Sequence, residues 1–166
     1  DAAHKLGIKV MIRPLVNADP KLADPEAPHT WRGMIGRNFT SAQWNSWFAS
    51  YETMIYAAAE MASKAKADSL CVGGELIVAS HQEAHWRSII KGVRARFSGP
   101  IMYAANHGNE HAVAFWDAVD WIGVDACKCS TCSLAVWSTF SLIERRWADY
   151  ALAPSVTSPT SSQLVA

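Results

Sequence analysis

The fold of this chain is decided by residues 69–76, which read SLCVGGEL. The run from Leu70 to Val72 is apolar without alternation, a pattern typical of a strand that is covered on both faces. Two glycines follow and allow the chain to tighten without obstruction from side chains. Glu75 comes directly after them, so the sequence predicts a carboxylate on rigid backbone at the carboxyl end of a buried strand. Position alone leaves two interpretations open, because such a residue either does chemistry or merely caps the next turn or pairs with an arginine.

The composition excludes several classes of partner. The 166 residues are half apolar, which is enough for one domain with a sizeable core. There are 15 Lys plus Arg and 15 Asp plus Glu, so the basic surface of a nucleic-acid-binding protein is not expected. No run approaches the roughly 18 apolar residues of a membrane span, so a membrane is not an expected partner either. Eight tryptophans indicate a strongly aromatic core or a cleft in which sugars stack.

Strand-like and helical segments alternate along the chain. Besides the strand before Glu75, strands are predicted at residues 8–13, 101–105 and 121–125. A capping box at residues 40–43 predicts the start of a helix with a long apolar stripe. A second capping box at residues 80–83 predicts a helix whose buried face contains Trp86, Ile89, Ile90, Val93 and Phe97. The first seven residues resemble the end of a helix with Gly7 as its C-cap, so the chain is expected to begin inside a domain.

A polar residue lies at the carboxyl end of each predicted strand: Asn17, Glu75, Asn106 and Asp125. Consecutive β-α units have right-handed crossovers, which make the strands parallel and bring these polar ends to one rim. A rim with two carboxylates and two amides is the layout of a barrel active site. A nucleotide-binding sheet is disfavoured, because no GxGxxG or GxxxxGKS/T run is present. The sequence therefore predicts an α/β fold that is a partial (β/α)8 TIM barrel, without a cofactor.

An ordered set of motifs resembles a known family. The motifs are VMIRP at 10–14, WRG at 31–33, VGGEL at 72–76, WRSII at 86–90, YAAN at 103–106, and FWD followed by DWIGVD between 115 and 125. Together they are similar to the endo-β-mannanase-type glycoside hydrolases of family 113 over roughly residues 5–126. The resemblance implies a TIM barrel of the retaining clan, in which the strands present here are the third to sixth. It also implies that Glu75, at the end of strand four, is the general acid/base.

The resemblance implies a β-linked oligosaccharide or polysaccharide of the mannan type as substrate. Aromatic rings stack on the apolar faces of sugars and amides bond their hydroxyls. Tyr103 lies within a predicted strand and is more typical of a core residue, whereas Trp31 lies in a polar loop without a helical stripe that would bury it. The predicted binding residues are Asn17, Trp31, Tyr103, Asn106 and Asp125.

The resemblance breaks down after Asp125. Members of the family carry their nucleophilic glutamate at the end of strand seven, and Asp125 lies one strand too early for that role. The later carboxylates, Glu144 and Asp149, fall on a segment whose apolar spacing predicts a helix, so they are interpreted as solvated. The chain is therefore expected to be an incomplete glycosidase, as a truncated or frame-shifted copy would be. The alternative is a non-catalytic carbohydrate-binding or vestigial barrel fragment.

The predicted organisation has three parts. Residues 1–126 form the barrel segment, 127–153 a divergent helical segment and 154–166 a low-complexity tail. The second part opens with a cysteine cluster, Cys127, Cys129 and Cys132. A structural zinc site needs about four ligands in paired spacing, and the remaining cysteine, Cys71, lies inside a predicted strand, so no metal is predicted. The cysteine pattern assigns neither disulfides nor a compartment.

Overall fold

The computed structural model describes residues 2–19 and 31–125, together with the backbone of residues 140–143. The helices are α1 (Ala2–Lys5), α2 (Ser41–Lys64), α3 (Ile77–Ser80) and α4 (Glu83–Arg94). Short 3-10 helices cover Arg32–Met34, Glu110–Ala112 and Trp116–Ala118. The strands are β1 (Met11–Ile12), β2 (Ser69–Gly74), β3 (Ile101–Asn106), β4 (Trp121–Asp125) and β5 (Phe140–Ile143). The predicted alternation of strands and helices is confirmed around Glu75.

The strands form one sheet in the order β1-β2-β3-β4-β5. The pairings from β1 to β4 are parallel, as the sequence predicts, and β5 joins β4 in the antiparallel sense. Because the first four strands are parallel, their carboxyl ends lie on one edge of the sheet, which is here called the rim. A four-stranded parallel sheet with helices is an α/β arrangement that fits part of a TIM barrel.

β1 is shorter than the strand predicted at residues 8–13. The N–H of Val10 donates to the side chain of Asp68 at 2.8 Å instead of joining the strand ladder. Lys9 donates to the same carboxylate at 2.9 Å. On the other side, Pro14 has no N–H to donate. The strand is therefore confined to the two residues that pair with β2.

One predicted capping box is confirmed and the other is wrong. The Thr40 hydroxyl accepts from the Gln43 N–H, and the Gln43 side chain accepts from the Thr40 N–H, at the start of α2. Ser80 is instead the last residue of α3, and its buried hydroxyl donates to the carbonyl of Ile77 at 2.7 Å. That bond removes it from capping, so α4 begins after Gln82 without a side-chain cap. The predicted face of α4 is buried, although Phe97 lies just beyond the end of the helix.

The main core lies between the sheet and helices α2 and α4. Trp86 is fully buried there and stacks on Phe115 with ring centroids 5.5 Å apart. It meets Tyr51 and Tyr103 edge to face at 5.3 and 5.2 Å. Its indole N–H donates to the carbonyl of Ala79 at 2.8 Å, which satisfies the polar atom of the ring. The aromatic-core interpretation is thus correct for the buried tryptophans Trp44, Trp86 and Trp116.

The opposite face of the sheet carries a smaller cluster. Cys71, Met102 and Ala104 are buried there, and Trp121 packs against them. A Cβ at Gly123 would lie 2.6 Å from Cε of Met102, the flexible end of that side chain, and 3.1 Å from the carbonyl oxygen of Tyr103, so a larger residue would crowd this face. Burial raises the pKa of the Cys71 thiol to about 11, which makes it a neutral packing group rather than a nucleophile.

Residues 140–143 correct the prediction of a helix in the segment 127–153. They form β5, because β4 offers an open edge whose backbone groups need partners. Phenylalanine, leucine and isoleucine also accept a strand conformation when a neighbouring strand is available. The remainder of that segment and the tail lie outside the described residues, as do Cys127, Cys129, Cys132, Glu144 and Asp149.

In the described part of the chain, no helix is long and apolar enough to cross a membrane. Within the same residues, no three His, Cys, Asp or Glu side chains are grouped so that they could hold a metal ion.

Candidate functional site

Glu75 follows β2 in an unusual backbone conformation. Its φ is +57°, in the left-handed region that favours glycine. Its N–H donates to the carbonyl of Ala104 on β3 at 2.9 Å, so the neighbouring strand holds the residue in place. Such a conformation costs a non-glycine residue about 1–2 kcal/mol. Residues held in this way cluster at functional sites.

A β-bulge lies directly before Glu75. Cys71 pairs with Met102 and Gly74 pairs with Ala104, so three steps along β2 match two steps along β3. The extra residue changes which face of the sheet the following residues meet. Together with the left-handed φ, the bulge sets the direction of the Glu75 side chain.

Both glycines of the bulge have close neighbours. A Cβ at Gly73 would lie 2.8 Å from the Trp86 ring on the helix side of the sheet. A Cβ at Gly74 would lie 2.6 Å from Nη2 of Arg13 on the opposite side. The glycine pair before Glu75 therefore serves close packing on two faces of the sheet.

The carboxylate of Glu75 forms an ion pair with Arg32. Nη1 of Arg32 lies 3.3 Å from Oε2 of Glu75, and the two side chains are 17% and 23% exposed. Nε of Arg32 donates to Oδ1 of Asn17 at 3.1 Å. Three segments of the chain thus meet in one row of polar contacts at the rim. The sequence leaves open whether Glu75 pairs with an arginine, and this ion pair is present. It orients the carboxylate and is compatible with a catalytic role.

Trp31 is an exposed aromatic residue beside this ion pair in the sequence. Its side chain is 39% exposed, as predicted for a residue outside the core. The indole lies over Gly33, where a Cβ would be 2.1 Å from the ring. Glycine at position 33 therefore allows the indole to lie flat on the backbone. The indole is thus packed on the backbone and still partly exposed.

Asp125 is buried at the end of β4 and pairs with Arg13. The carboxylate is 4% exposed and accepts two hydrogen bonds from the guanidinium, that from Nη1 being 3.0 Å long. Burial has the largest single effect and lowers the pKa of Arg13, but the hydrogen bond to Asp125 and the nearby negative charges together outweigh it, so the pKa of Arg13 is raised. The charge of Glu75 acts on Arg13 in the same direction. Glu75 and Asp125 are therefore joined electrostatically through one arginine.

The two predicted residues on β3 differ in their placement. Asn106 ends the strand opposite Asp125 in the parallel register and is partly buried at the rim. Tyr103 is 1% exposed, lies among the core aromatic rings, and points its hydroxyl to the carbonyl of Leu76 at 3.5 Å. Because Tyr103 faces the helix side of the sheet, the structure places it in the core and away from the accessible rim.

A separate groove of about 590 Å³ lies between the start of α2 and the connection from α3 to α4. It contains none of the predicted site residues. Its lining combines aromatic, amide and imidazole side chains from Phe39, Ser41, Trp44, Asn45, His81, Gln82, Glu83, Ala84 and His85.

Arg13 and Arg32 are the site residues that sequence reasoning missed. Both belong to the motifs quoted above. Arg13 lies four residues before Asn17, and Arg32 is next to Trp31, so their closeness to predicted site residues could have indicated them. Their partners were not readable from the chain, because Arg13 and Asp125 are 112 residues apart.

The match with a family model decides the affiliation. The model is that of Glycoside Hydrolase Family 113, and it matches residues 1–146. The chain belongs to glycoside hydrolase family 113. No curated protein gives a significant match to this family 113 chain.

Solved structures of family 113 proteins are similar to the chain. A GH113 β-1,4-mannanase in a complex is 32% identical, with a TM-score of 0.64, over 74% of this chain and 38% of the mannanase. A second structure of a GH113 β-1,4-mannanase is 31% identical, with a TM-score of 0.65, over 75% and 39%. The GH113 β-mannanase of Alicyclobacillus acidocaldarius in complex with ManMIm is 38% identical, with a TM-score of 0.62, over 75% and 38%. The family 113 chain thus spans less than two fifths of the length of these enzymes.

Proposed function

We propose that Glu75 is the general acid/base of a retaining glycosidase site that acts on β-linked mannan. The observation that carries the proposal is the placement of Glu75, a carboxylate held in left-handed backbone at a strand end and oriented by Arg32. Membership of family 113, whose solved members above are β-mannanases, supports the substrate class. In this proposal β1 to β4 are the third to sixth strands of a barrel. The nucleophilic glutamate then comes from a seventh strand, outside the described residues.

The proposed reaction has two steps, and Glu75 changes protonation state in each. In the first step its carboxyl gives a proton to the glycosidic oxygen as the bond from that oxygen to the sugar carbon breaks. The second carboxylate forms a bond to the same carbon. In the second step the Glu75 carboxylate takes a proton from a water whose oxygen attacks that carbon and displaces the nucleophile. Glu75 ends protonated, ready for the next cycle.

The other predicted residues serve the sugar or the rim in this proposal. The exposed indole of Trp31 stacks on a sugar face, and Asn17 and Asn106 bond hydroxyl groups. Asp125 and Tyr103 are buried, so they support the rim from below: Asp125 through Arg13, and Tyr103 through the backbone after Glu75.

A second candidate function is binding of mannan without hydrolysis. The observation that favours it is the state of the other predicted rim carboxylate, because Asp125 is buried and committed to Arg13. A retaining reaction needs a free carboxylate about 5 Å from the acid/base. The exposed Trp31 is sufficient for stacking in either case.

The two candidates are separated by Glu75→Gln in a completed barrel that contains this chain, assayed on mannan oligosaccharides. The amide keeps the volume but cannot donate the proton, so we expect a rate loss of about 10²–10⁴-fold. A mannoside with a very good leaving group needs no protonation and should be affected least in its first step. The matched control is Glu60→Gln, which makes the same change on the exposed surface of α2. Equal hydrolysis of unactivated substrate by wild type and Glu75→Gln contradicts the assignment, and sugar binding without turnover in the wild type supports the second candidate.

A further inference from the structure

The hydroxyl of Tyr51, on α2, reaches the β-bulge that precedes Glu75. It donates to the carbonyl of Val72 at 2.8 Å, and both residues are buried. Val72 lies between Cys71 and Gly74, where the pairing of β2 with β3 shifts register. A bulge disrupts the local ladder, and a buried carbonyl there needs a donor from elsewhere. Tyr51 supplies that donor from a helix 21 residues away in the sequence.

The core holds the Tyr51 ring in one position. The ring stacks on Trp47 with centroids 4.9 Å apart and meets Trp86 edge to face at 5.3 Å. Burial raises the pKa of the Tyr51 hydroxyl, so the group remains a proton donor wherever the protein is folded near neutral pH. The hydroxyl is therefore a fixed part of the bulge.

The segment around Glu75 is held at three backbone positions. Tyr51 bonds the carbonyl of Val72, the N–H of Glu75 bonds Ala104, and Tyr103 points to the carbonyl of Leu76 at the longer distance of 3.5 Å. The contact made by Tyr51 is the shortest of the three. It also acts on the bulge itself. The bulge determines to which face of the sheet the side chains of the following residues point.

We propose that Tyr51 is a positioning residue for Glu75. By holding the bulge carbonyl, it keeps Glu75 in the left-handed conformation and keeps the carboxylate against Arg32. Without the hydroxyl, the strained φ of Glu75 can relax and the carboxylate moves. The catalytic part of this inference rests on the proposed function, since a misplacement of about 1 Å can cost a reaction on the order of 10²-fold.

The test compares Tyr51→Phe with Tyr56→Phe by nuclear magnetic resonance of the chain. Tyr56 is on the same helix, but its ring lies under Arg96 and its hydroxyl is near Gly92, away from β2. We expect Tyr51→Phe to change the φ-sensitive couplings and the carboxyl carbon shift of Glu75, and Tyr56→Phe to leave both unchanged. If Tyr51→Phe is too unstable alone, it is made together with Lys66→Gly, which removes left-handed strain at an exposed residue. Unchanged Glu75 signals in folded Tyr51→Phe overturn the inference.

A kinetic measurement in a completed barrel distinguishes positioning from a general loss of stability. Tyr51→Phe should lower kcat for an unactivated mannan oligosaccharide by roughly ten- to a hundredfold, with a much smaller change in KM. The failure of the proposed function has a different signature. If hydrolysis is insensitive to Glu75→Gln, the proposed function is wrong. The magnetic resonance comparison still tests whether Tyr51 positions Glu75, because it requires no turnover.

Discussion

The left-handed backbone of Glu75 should have a measurable effect on the free energy of unfolding. Its φ of +57° costs a residue with a Cβ about 1–2 kcal/mol, whereas glycine adopts it freely. Glu75→Gly and Glu75→Ala both remove the carboxylate, so both lose the pair with Arg32, a partly exposed contact worth about 0–1 kcal/mol. The difference between these two variants therefore isolates the backbone. Glycine also makes the unfolded chain more flexible than alanine does, which lowers the stability of the folded state by about 0.4–1 kcal/mol. After this is subtracted from the relief of strain, Glu75→Gly should be more stable than Glu75→Ala by about 1 kcal/mol.

The measurement is urea unfolding followed by circular dichroism, with the free energy of unfolding extrapolated linearly to water. Lys66 provides the matched control, because it has nearly the same φ of +55° on the exposed surface just after α2. Lys66→Gly should exceed Lys66→Ala in stability by a similar amount. A difference at position 66 with none at position 75 refutes the reasoning, because it means that Glu75 is not held in the left-handed region.

Three further predictions concern the sugar platform, the N-terminal segment and the chain as a whole. Gly33→Ala should displace the Trp31 indole, because the new Cβ would lie 2.1 Å from the ring. It should therefore weaken mannan-oligosaccharide binding by about 0.5–1.5 kcal/mol, the same range that we expect for Trp31→Ala. Titration calorimetry checks this, and a large fall in Tm with unchanged affinity shows instead that Trp31 is a core residue. Hydrogen bonds from Lys9, then from the Val10 N–H and His4, hold the pKa of Asp68 well below its usual range. A depressed carboxyl pKa stabilises the fold above the unfolded value of about 4 and loses that contribution as the pH falls below it, so unfolding measured from pH 7 to pH 2 should depend less steeply on pH in Asp68→Asn. Equal pH dependence in the two proteins contradicts this. The 166 residues alone should show almost no hydrolysis of mannan, glucomannan or activated glycosides, because a TIM barrel typically needs about 250 residues. Turnover by a soluble monomer refutes this and makes Asp125 the first candidate for the nucleophile.

The elements around Glu75 were predictable from the sequence because their signals are local. The apolar run before the glycines, the capping box at Thr40 and the spacing of apolar residues in α2 each lie within a few turns of chain. The parallel arrangement followed from the connections, since right-handed crossovers leave few alternatives. The prediction failed where local signals were ambiguous. Ser80 has the composition of a cap but is buried inside a preceding turn, and residues 140–143 have a helical spacing but pair with an open strand edge.

Local patterns in the sequence thus indicate the fold class, the family resemblance and the position of Glu75 at a strand end. How that carboxylate is held depends on contacts that form when the strands and helices pack. Its left-handed φ depends on a hydrogen bond from the Glu75 N–H to the carbonyl of Ala104 and on a bulge that Tyr51 supports. Its partner Arg32 comes from a different segment. Likewise, the burial of Asp125 depends on Arg13, 112 residues away. Such contacts are made by residues that become neighbours only when strands and helices have packed, so their geometry is absent from local propensity and spacing.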